Sequence, residues 1–361
     1  MVKTVQMTER GTVELHDQPY PELEKGAVVV KTAYSEVCGT DVHLLKGQLA
    51  GVPYPIIPGH VSTGVIEELK GIVTDVEGNS LQVGDPITFL DVHETCNNCW
   101  YCLVAKASTR CPKRKVYGIT YSAKEGLLGG WSKYIYLKPG VKIIKLPDRS
   151  FMKSFMAAGC GLPTAIHAIQ RSEIKLGNTI AIQGSGPVGL MAALCGKLSG
   201  AFQVIMLGAP SHRLDIAKIF GVEATINIED YDPQSRIQKV LEYSNGRGAD
   251  VTIEATGVPS AIKEGMVMTR EGGTYTIVGQ YTDAGNVEIN PHLDINKKHL
   301  TIRGSWGSDF SHFYLAVKLV EKYMDSFPFE NIISKEYSLE QVVEALNDVE
   351  QLRVMKALIK P

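Results

Sequence analysis

Short apolar runs set against polar positions dominate roughly the first 150 residues. The N-terminal "MVKTVQMTERGTVEL" alternates as a strand does, and "GAVVVKTAY" and "STGVIEEL" repeat the pattern between turns rich in Gly, Pro and Asp. This predicts a mainly β region. From about Ile174 the period changes, and apolar strand runs take turns with helical stretches: "NTIAIQGSGPVGLMAALCGKLSG", then "FQVIMLG" with "SHRLDIAKIFG", then "ADVTIEATG", then "GGTYTIVGQ". Such alternation predicts a parallel sheet covered by helices on both faces. From about His299 the elements are shorter and mixed, ending in "LRVMKALIKP". The chain shows neither an internal repeat nor a low-complexity tract, which argues against a solenoid and against a disordered arm.

Length and charge narrow the function. At 361 residues the chain is long enough for about two domains. With 44% hydrophobic residues, 21% charged residues and a formal net charge of −2, it has no electrostatic reason to bind nucleic acid or an acidic membrane surface. No segment approaches the ~18 apolar residues of a membrane span, and the start of the chain lacks the apolar run of a secretory signal. A cytoplasmic protein is expected. Its seven cysteines are an odd number, and in a reducing compartment clustered cysteines point to metal before disulfides.

The chemistry begins at Gly184-Ser185-Gly186-Pro187-Val188-Gly189, between the strand "TIAIQ" and the helix "LMAALCGKL". A glycine pattern of this kind carries meaning only in a strand–loop–helix context, which is present here. Gly184 permits the tight turn, Gly186 lets the backbone approach a pyrophosphate, and Gly189 allows the helix to pack closely on the sheet, with Pro187 and Val188 opening the helix whose N-terminus faces the phosphates. The next strand ends in Gly208 where an acid would hold the adenosine ribose of NAD. Without that carboxylate a 2′-phosphate is not repelled, yet no Lys or Arg lies between Gly208 and His212, and Arg213 already starts the following helix. NAD and NADP stand nearly level, with NAD slightly ahead.

Two groups of metal-ligand residues follow different logic. "CNNCWYCLVAKASTRC" spaces Cys96, Cys99, Cys102 and Cys111 as C-x2-C-x2-C-x8-C. Four thiolates satisfy tetrahedral zinc and leave no open position, the mark of a structural site. Iron–sulfur ligation is the competing reading, with free core cysteines or a nucleic-acid-binding ribbon behind it. The second group is scattered: Cys38, Thr40, Asp41 and His43 in "SEVCGTDVH", His60 in "IPGHVSTG", and Cys160 in "MAAGCGLPTA". Taken singly, each reads as a packed core residue. A catalytic zinc needs three protein ligands and an open position, and two cysteines with a histidine are one established set. Cys195, on the helix after the glycine loop, reads as core.

Together these motifs resemble the zinc-dependent alcohol dehydrogenases of the medium-chain dehydrogenase/reductase superfamily. The resemblance covers nearly the whole chain: "CGTDVH", "PGH", the four-cysteine lobe, "AAGCGLPTA", "GSGPVG", "EATG" and "MKALIKP" fall in family order. It implies an α/β fold: a doubly wound Rossmann sheet plus a GroES-like, mainly β catalytic domain, with the active site in the cleft between them. The implied boundaries are 1–160 for the catalytic domain with a zinc lobe at about 91–115, 161–300 for the Rossmann domain, and 301–361 for a return to the first. It also implies two zinc ions per subunit, one held by Cys38, His60 and Cys160 and one by the four-cysteine lobe. Beyond Gly208, two further departures stand out. Val61 follows His60 where the family usually has Glu, which removes any part that residue plays in ligand exchange, and the last gap in the lobe is one residue longer than usual.

By the same resemblance Thr40 hydrogen-bonds the substrate oxygen, His43 accepts the departing proton, and Asp41 orients His60 through its second ring nitrogen. Val278 packs on the nicotinamide, Trp306 lines the substrate pocket, and Lys356 meets the pyrophosphate. The expected reaction is hydride transfer between an alcohol and NAD(P) to give a ketone or aldehyde, with a secondary alcohol, of cyclic or terpenoid type among the candidates, as donor, in a homodimer or homotetramer. The alternatives are a zinc-independent enone or quinone reductase, which would lack both ligand sets, and a catalytically silent nucleotide-binding scaffold or sensor.

Overall fold

In a computed structural model that describes all of residues 1–361, the chain divides into two units: 1–159 with 309–324 and 329–361, and 160–308 with 325–328. The first unit is built on a seven-stranded sheet. Its order is Ile333–Tyr337, Lys356–Ile359, Val28–Val37, Ser62–Leu69, Pro86–Phe89 and Ile143–Lys145, with Tyr134–Leu137 pairing Val28–Val37 off that path. The long strand Val28–Val37 lies near its centre and is buried at both ends, through the apolar run Val28-Val29-Val30 at one and through Ser35, Glu36 and Val37 at the other. The C-terminal strand pairs antiparallel with it and sets Leu358 opposite Glu36. Trp131 is fully buried and donates its indole N–H to the Glu36 carbonyl at 3.1 Å. The helix Phe151–Ala158 packs on this sheet, and Phe155 meets Phe313 edge-on at 5.6 Å.

The second unit holds a six-stranded parallel sheet in the order Ala224–Asn227, Gln203–Gly208, Thr179–Gln183, Ala249–Glu254, Thr269–Ile277 and Thr301–Gly304. The chain enters at Thr179, works outward to one edge, then returns to build the other half from Ala249. That reversal is the topological switch of a doubly wound nucleotide-binding sheet. Ala181, Ile205, Leu207, Ile226, Val240 and Met268 form its buried core. The boundary expected at residue 300 is corrected here: Thr301–Gly304 pairs parallel with Thr274–Ile277 and completes this sheet, so the chain leaves the unit only after Ser308. No helix is long and apolar enough to cross a membrane.

Gly189 shows how tightly the first crossover helix, Pro187–Leu198, is seated. A Cβ there would stand 1.9 Å from the Gly184 carbonyl oxygen, a backbone atom that cannot swing aside. Gly189→Ala is therefore expected to destabilise the protein by about 1–3 kcal/mol, read as a lowered unfolding temperature; an unchanged temperature would contradict this packing.

Candidate metal centres and nucleotide loop

The strand Val28–Val37 delivers Glu36 and, one residue past its end, Cys38. Helix Gly39–Leu45 follows at once, with Asp41 accepting the Cys38 N–H at 2.9 Å and so fixing the turn that presents the thiol. His60 is buried just before Ser62–Leu69, and Cys160 directly follows Gly159 at the end of Phe151–Ala158. Ligand atoms of Cys38, His60, Cys160 and Glu36 all lie within 4.8 Å of one another. The structure thus brings together the three residues singled out by sequence and adds a fourth, Glu36, that sequence reasoning missed. Glu36 is wholly buried, with one oxygen 3.6 Å from His60 Nε2 and the other paired with the Lys356 ammonium.

The electrostatics of this group call for a cation. Burial draws the His60 imidazole toward neutrality, but Cys38, Glu36, Asp41 and Asp91 outweigh it and raise the ring to about 9. Burial also pushes the Asp41 carboxyl well above its usual range, with the Cys38 charge adding to the effect, and burial raises Asp91. His60 Nδ1 and Asp41 Oδ1 are buried without hydrogen-bond partners, a costly arrangement unless something else satisfies the pocket. Two thiols, an imidazole and a carboxylate are a soft-to-borderline donor set that fits zinc. The hydrogen bond expected from His60 to Asp41 is not formed; Asp41 instead holds the Cys38 backbone.

Thr40 and His43 lie one turn apart on Gly39–Leu45 and therefore share a face. His43 Nδ1 is 2.5 Å from Gln48 Oε1. Lys356 is corrected: it is 1% exposed with its ammonium engaged by Glu36, so it is not available to a pyrophosphate.

The lobe is closed at its base by the short ribbon Val92–His93 and Lys115–Val116. Above it the sulfurs of Cys96, Cys99, Cys102 and Cys111 lie within 4.8 Å of one another, with Cys99 to Cys102 and Cys96 to Cys111 each at 3.5 Å. These distances are far too long for disulfides, which need about 2.05 Å. They suit the edges, about 3.8 Å, of a tetrahedron with metal–sulfur bonds of about 2.3 Å. The Asn98 backbone N–H foremost draws the Cys96 thiol down to about 6, while desolvation and the Cys99 contact push Cys102 up to about 12. Four sulfurs gathered at these separations fit a metal.

On the second unit, the glycine loop has the expected steric logic. Gly184 sits at φ +112°, and a Cβ there would meet the Ala255 carbonyl at 2.6 Å; at Gly186 the nearest atom would be Arg213 Nη1 at 3.9 Å, leaving its backbone approachable beside a guanidinium. Pro187 and Val188 form the first turn of the helix. At Gly208 a Cβ would lie 2.3 Å from Ser185 Oγ, which explains why no acid stands there. Arg213 is buried in the helix Ser211–Ile219. Glu254, unmarked by the sequence reading except as part of "EATG", organises the neighbouring loops: its Oε1 accepts from Thr256 N, Thr256 Oγ1 and Gly257 N at 2.6–2.7 Å. Val278 is buried just past the strand Thr269–Ile277, and Trp306 stacks on Tyr281 with ring centres 5.6 Å apart.

Two family models match this chain: an alcohol dehydrogenase GroES-like domain over residues 24–148 and a zinc-binding dehydrogenase domain over 187–322. The 5-exo-hydroxycamphor dehydrogenase of Pseudomonas putida is 32% identical over 357 residues, covering 98% of this chain and 96% of that one. The chain belongs to the zinc-dependent alcohol dehydrogenases of the medium-chain dehydrogenase/reductase superfamily. Among solved structures, an alcohol dehydrogenase from Thermotoga maritima superposes with a TM-score of 0.94 at 29% identity, covering 100% of this chain and 99% of that one. A Sinorhizobium meliloti 1021 chain solved bound to NADP gives 0.86 at 26% identity, covering 100% and 99%. The protein is an oxidoreductase of the NAD(P)-dependent alcohol dehydrogenase type, acting on CH–OH donors.

Cys99→Ala removes one corner of the sulfur tetrahedron. It is expected to lower metal content by one ion per chain and the unfolding temperature by on the order of 5–10 °C; unchanged metal content would show that the four sulfurs hold none.

Proposed function

We propose that this dehydrogenase oxidises a secondary alcohol, of cyclic or terpenoid type, to its ketone, with one zinc at Cys38, His60 and Cys160 and a second in the four-cysteine lobe. The observation that carries the reading is the convergence of those three donors beside a helix bearing Thr40 and His43. The hydroxycamphor relative supports the substrate class. A homodimer or homotetramer working in the cytoplasm is part of the proposal. NADP is accepted alongside NAD, because Gly208 offers no carboxylate to repel a 2′-phosphate and Arg213 Nη1 stands near Gly186.

When bound, zinc supplies Lewis acidity at the alcohol oxygen and the nicotinamide supplies the carbon that accepts hydride. The chain's own residues handle the proton. Thr40 offers its hydroxyl as a relay from the alcohol, and His43 takes the proton onward. With Gln48 Oε1 accepting from Nδ1–H, Nε2 is the ring nitrogen that receives it. Asp41 holds the Cys38 backbone so that the thiol stays aimed at the donor set. Val278 and Trp306 are assigned to the nicotinamide and the substrate by family likeness.

Absorbance at 340 nm with linear, aromatic and cyclic alcohols, and NAD or NADP in parallel, tests the reading. Turnover of a cyclic secondary alcohol by the parent and its loss in a folded Cys160→Ala variant are expected; a flat trace from metal-loaded parent, or equal rates in the two, would overturn it. His43→Gln is expected to lower kcat by roughly 10²-fold near neutral pH, the deficit shrinking as pH rises and hydroxide replaces the lost base. An unchanged pH–rate profile would remove His43 from the proton path.

A further inference from the structure

Glu36 is a carboxylate with no part in the proton path, paired with a buried lysine and placed at zero exposure among metal-ligand atoms. We propose that Glu36 is a fourth protein donor to the metal of Cys38, His60 and Cys160, held in reserve by Lys356. The proposal rests on the reading that those three residues hold a metal.

Geometry comes first. One carboxylate oxygen is turned toward the donor set, 3.6 Å from His60 Nε2, while the other is bound by Lys356. That oxygen stands among the ligand atoms of Cys38, His60 and Cys160, away from the one that Lys356 holds. Backbone pairing holds it there: Glu36 N donates to Val61 O at 3.2 Å, so the strand carrying Glu36 is locked beside the residue that follows His60. Trp131 donates its indole N–H to the Glu36 carbonyl and anchors the same residue.

Space has been cleared for the pair. Gly159 lies immediately before Cys160, and a Cβ on it would come within 2.2 Å of both Glu36 Oε2 and Lys356 Nζ. Its φ of +45° suits glycine as well. The ion pair is therefore packed against the backbone that presents the third ligand.

Charge explains the reserve. A dication with two thiolates and a neutral imidazole is already neutral, and a buried carboxylate added to it would leave one uncompensated negative charge. Lys356, 1% exposed, supplies the balancing positive charge. Glu36 can thus exchange between ammonium and metal without changing the net charge of the pocket. It occupies the coordination position when substrate is absent and yields it when an alcohol arrives, with Lys356 as the positioning residue.

The test uses full-length protein loaded with zinc or cobalt, with the metal of this site identified as the one lost in Cys160→Ala. Glu36→Gln is expected to release it to a chelator several-fold faster, and Lys356→Met about tenfold slower because the carboxylate is no longer shared; Lys356→Gln serves if the methionine variant does not fold. Charge alone could move those rates, so coordination is read from the visible d–d absorption of the cobalt protein, which is expected to shift in the Lys356 variant as an oxygen joins the metal. A spectrum unmoved by that substitution, or release accelerated in both variants, makes the pair a structural ion pair and overturns the proposal. A parent protein with no metal that depends on Cys160 overturns the reading of the site as well.

Discussion

The convergence of Glu36, Cys38 and His60 in the interior, with Glu36 held by the buried Lys356, is the constraint on which the first unit's architecture turns. Cys38, Glu36, Asp41 and Asp91 all act on the one imidazole, and the only positive side chain shown paired within the donor cluster is Lys356. Such a concentration of ionisable and metal-ligating groups is unfavourable in a protein interior unless they are paired or a cation sits among them. The surrounding fold keeps it together: a central strand for Glu36 and Cys38, the C-terminal strand for Lys356, and a glycine where any side chain would strike the pair.

The second unit solves a different problem, the approach of a large anionic cofactor to backbone. Its solution is the removal of side chains. Gly184, Gly189 and Gly208 each sit where a Cβ would collide with neighbouring backbone or with Ser185, while Gly186 faces open space beside a guanidinium. The missing ribose-binding acid follows from the same packing. Ser185 occupies the space that an acidic side chain at 208 would need.

Much of this was legible in the chain because it is local. Cysteines spaced C-x2-C-x2-C-x8-C declare a tetrahedral cluster, the strand–glycine–helix order declares a phosphate loop, and the short-range CGTDVH segment sets Cys38, Thr40, Asp41 and His43 on one turn and helix. What escaped was long-range. Lys356 meets Glu36 across 320 residues of sequence, so neither its engagement nor the importance of Glu36 shows in any window, and a resemblance at the C-terminus pointed Lys356 toward phosphate instead. Asp41 was assigned to His60 when its bond goes to the nearer Cys38 amide. Strand Thr301–Gly304, a mere four residues long and largely exposed, carries too little apolar pattern to reveal that it completes the parallel sheet.

The central claim is that two spatially separate donor sets, formed by different physical means, each hold a metal ion. Anomalous diffraction from crystals of the purified protein, recorded on both sides of the zinc absorption edge, tests it most directly. The account predicts two peaks per chain, one inside the sulfur quartet of Cys96, Cys99, Cys102 and Cys111 and one among Cys38, His60 and Cys160. A single peak in the lobe with none beside His60, from protein that oxidises alcohols, would contradict it.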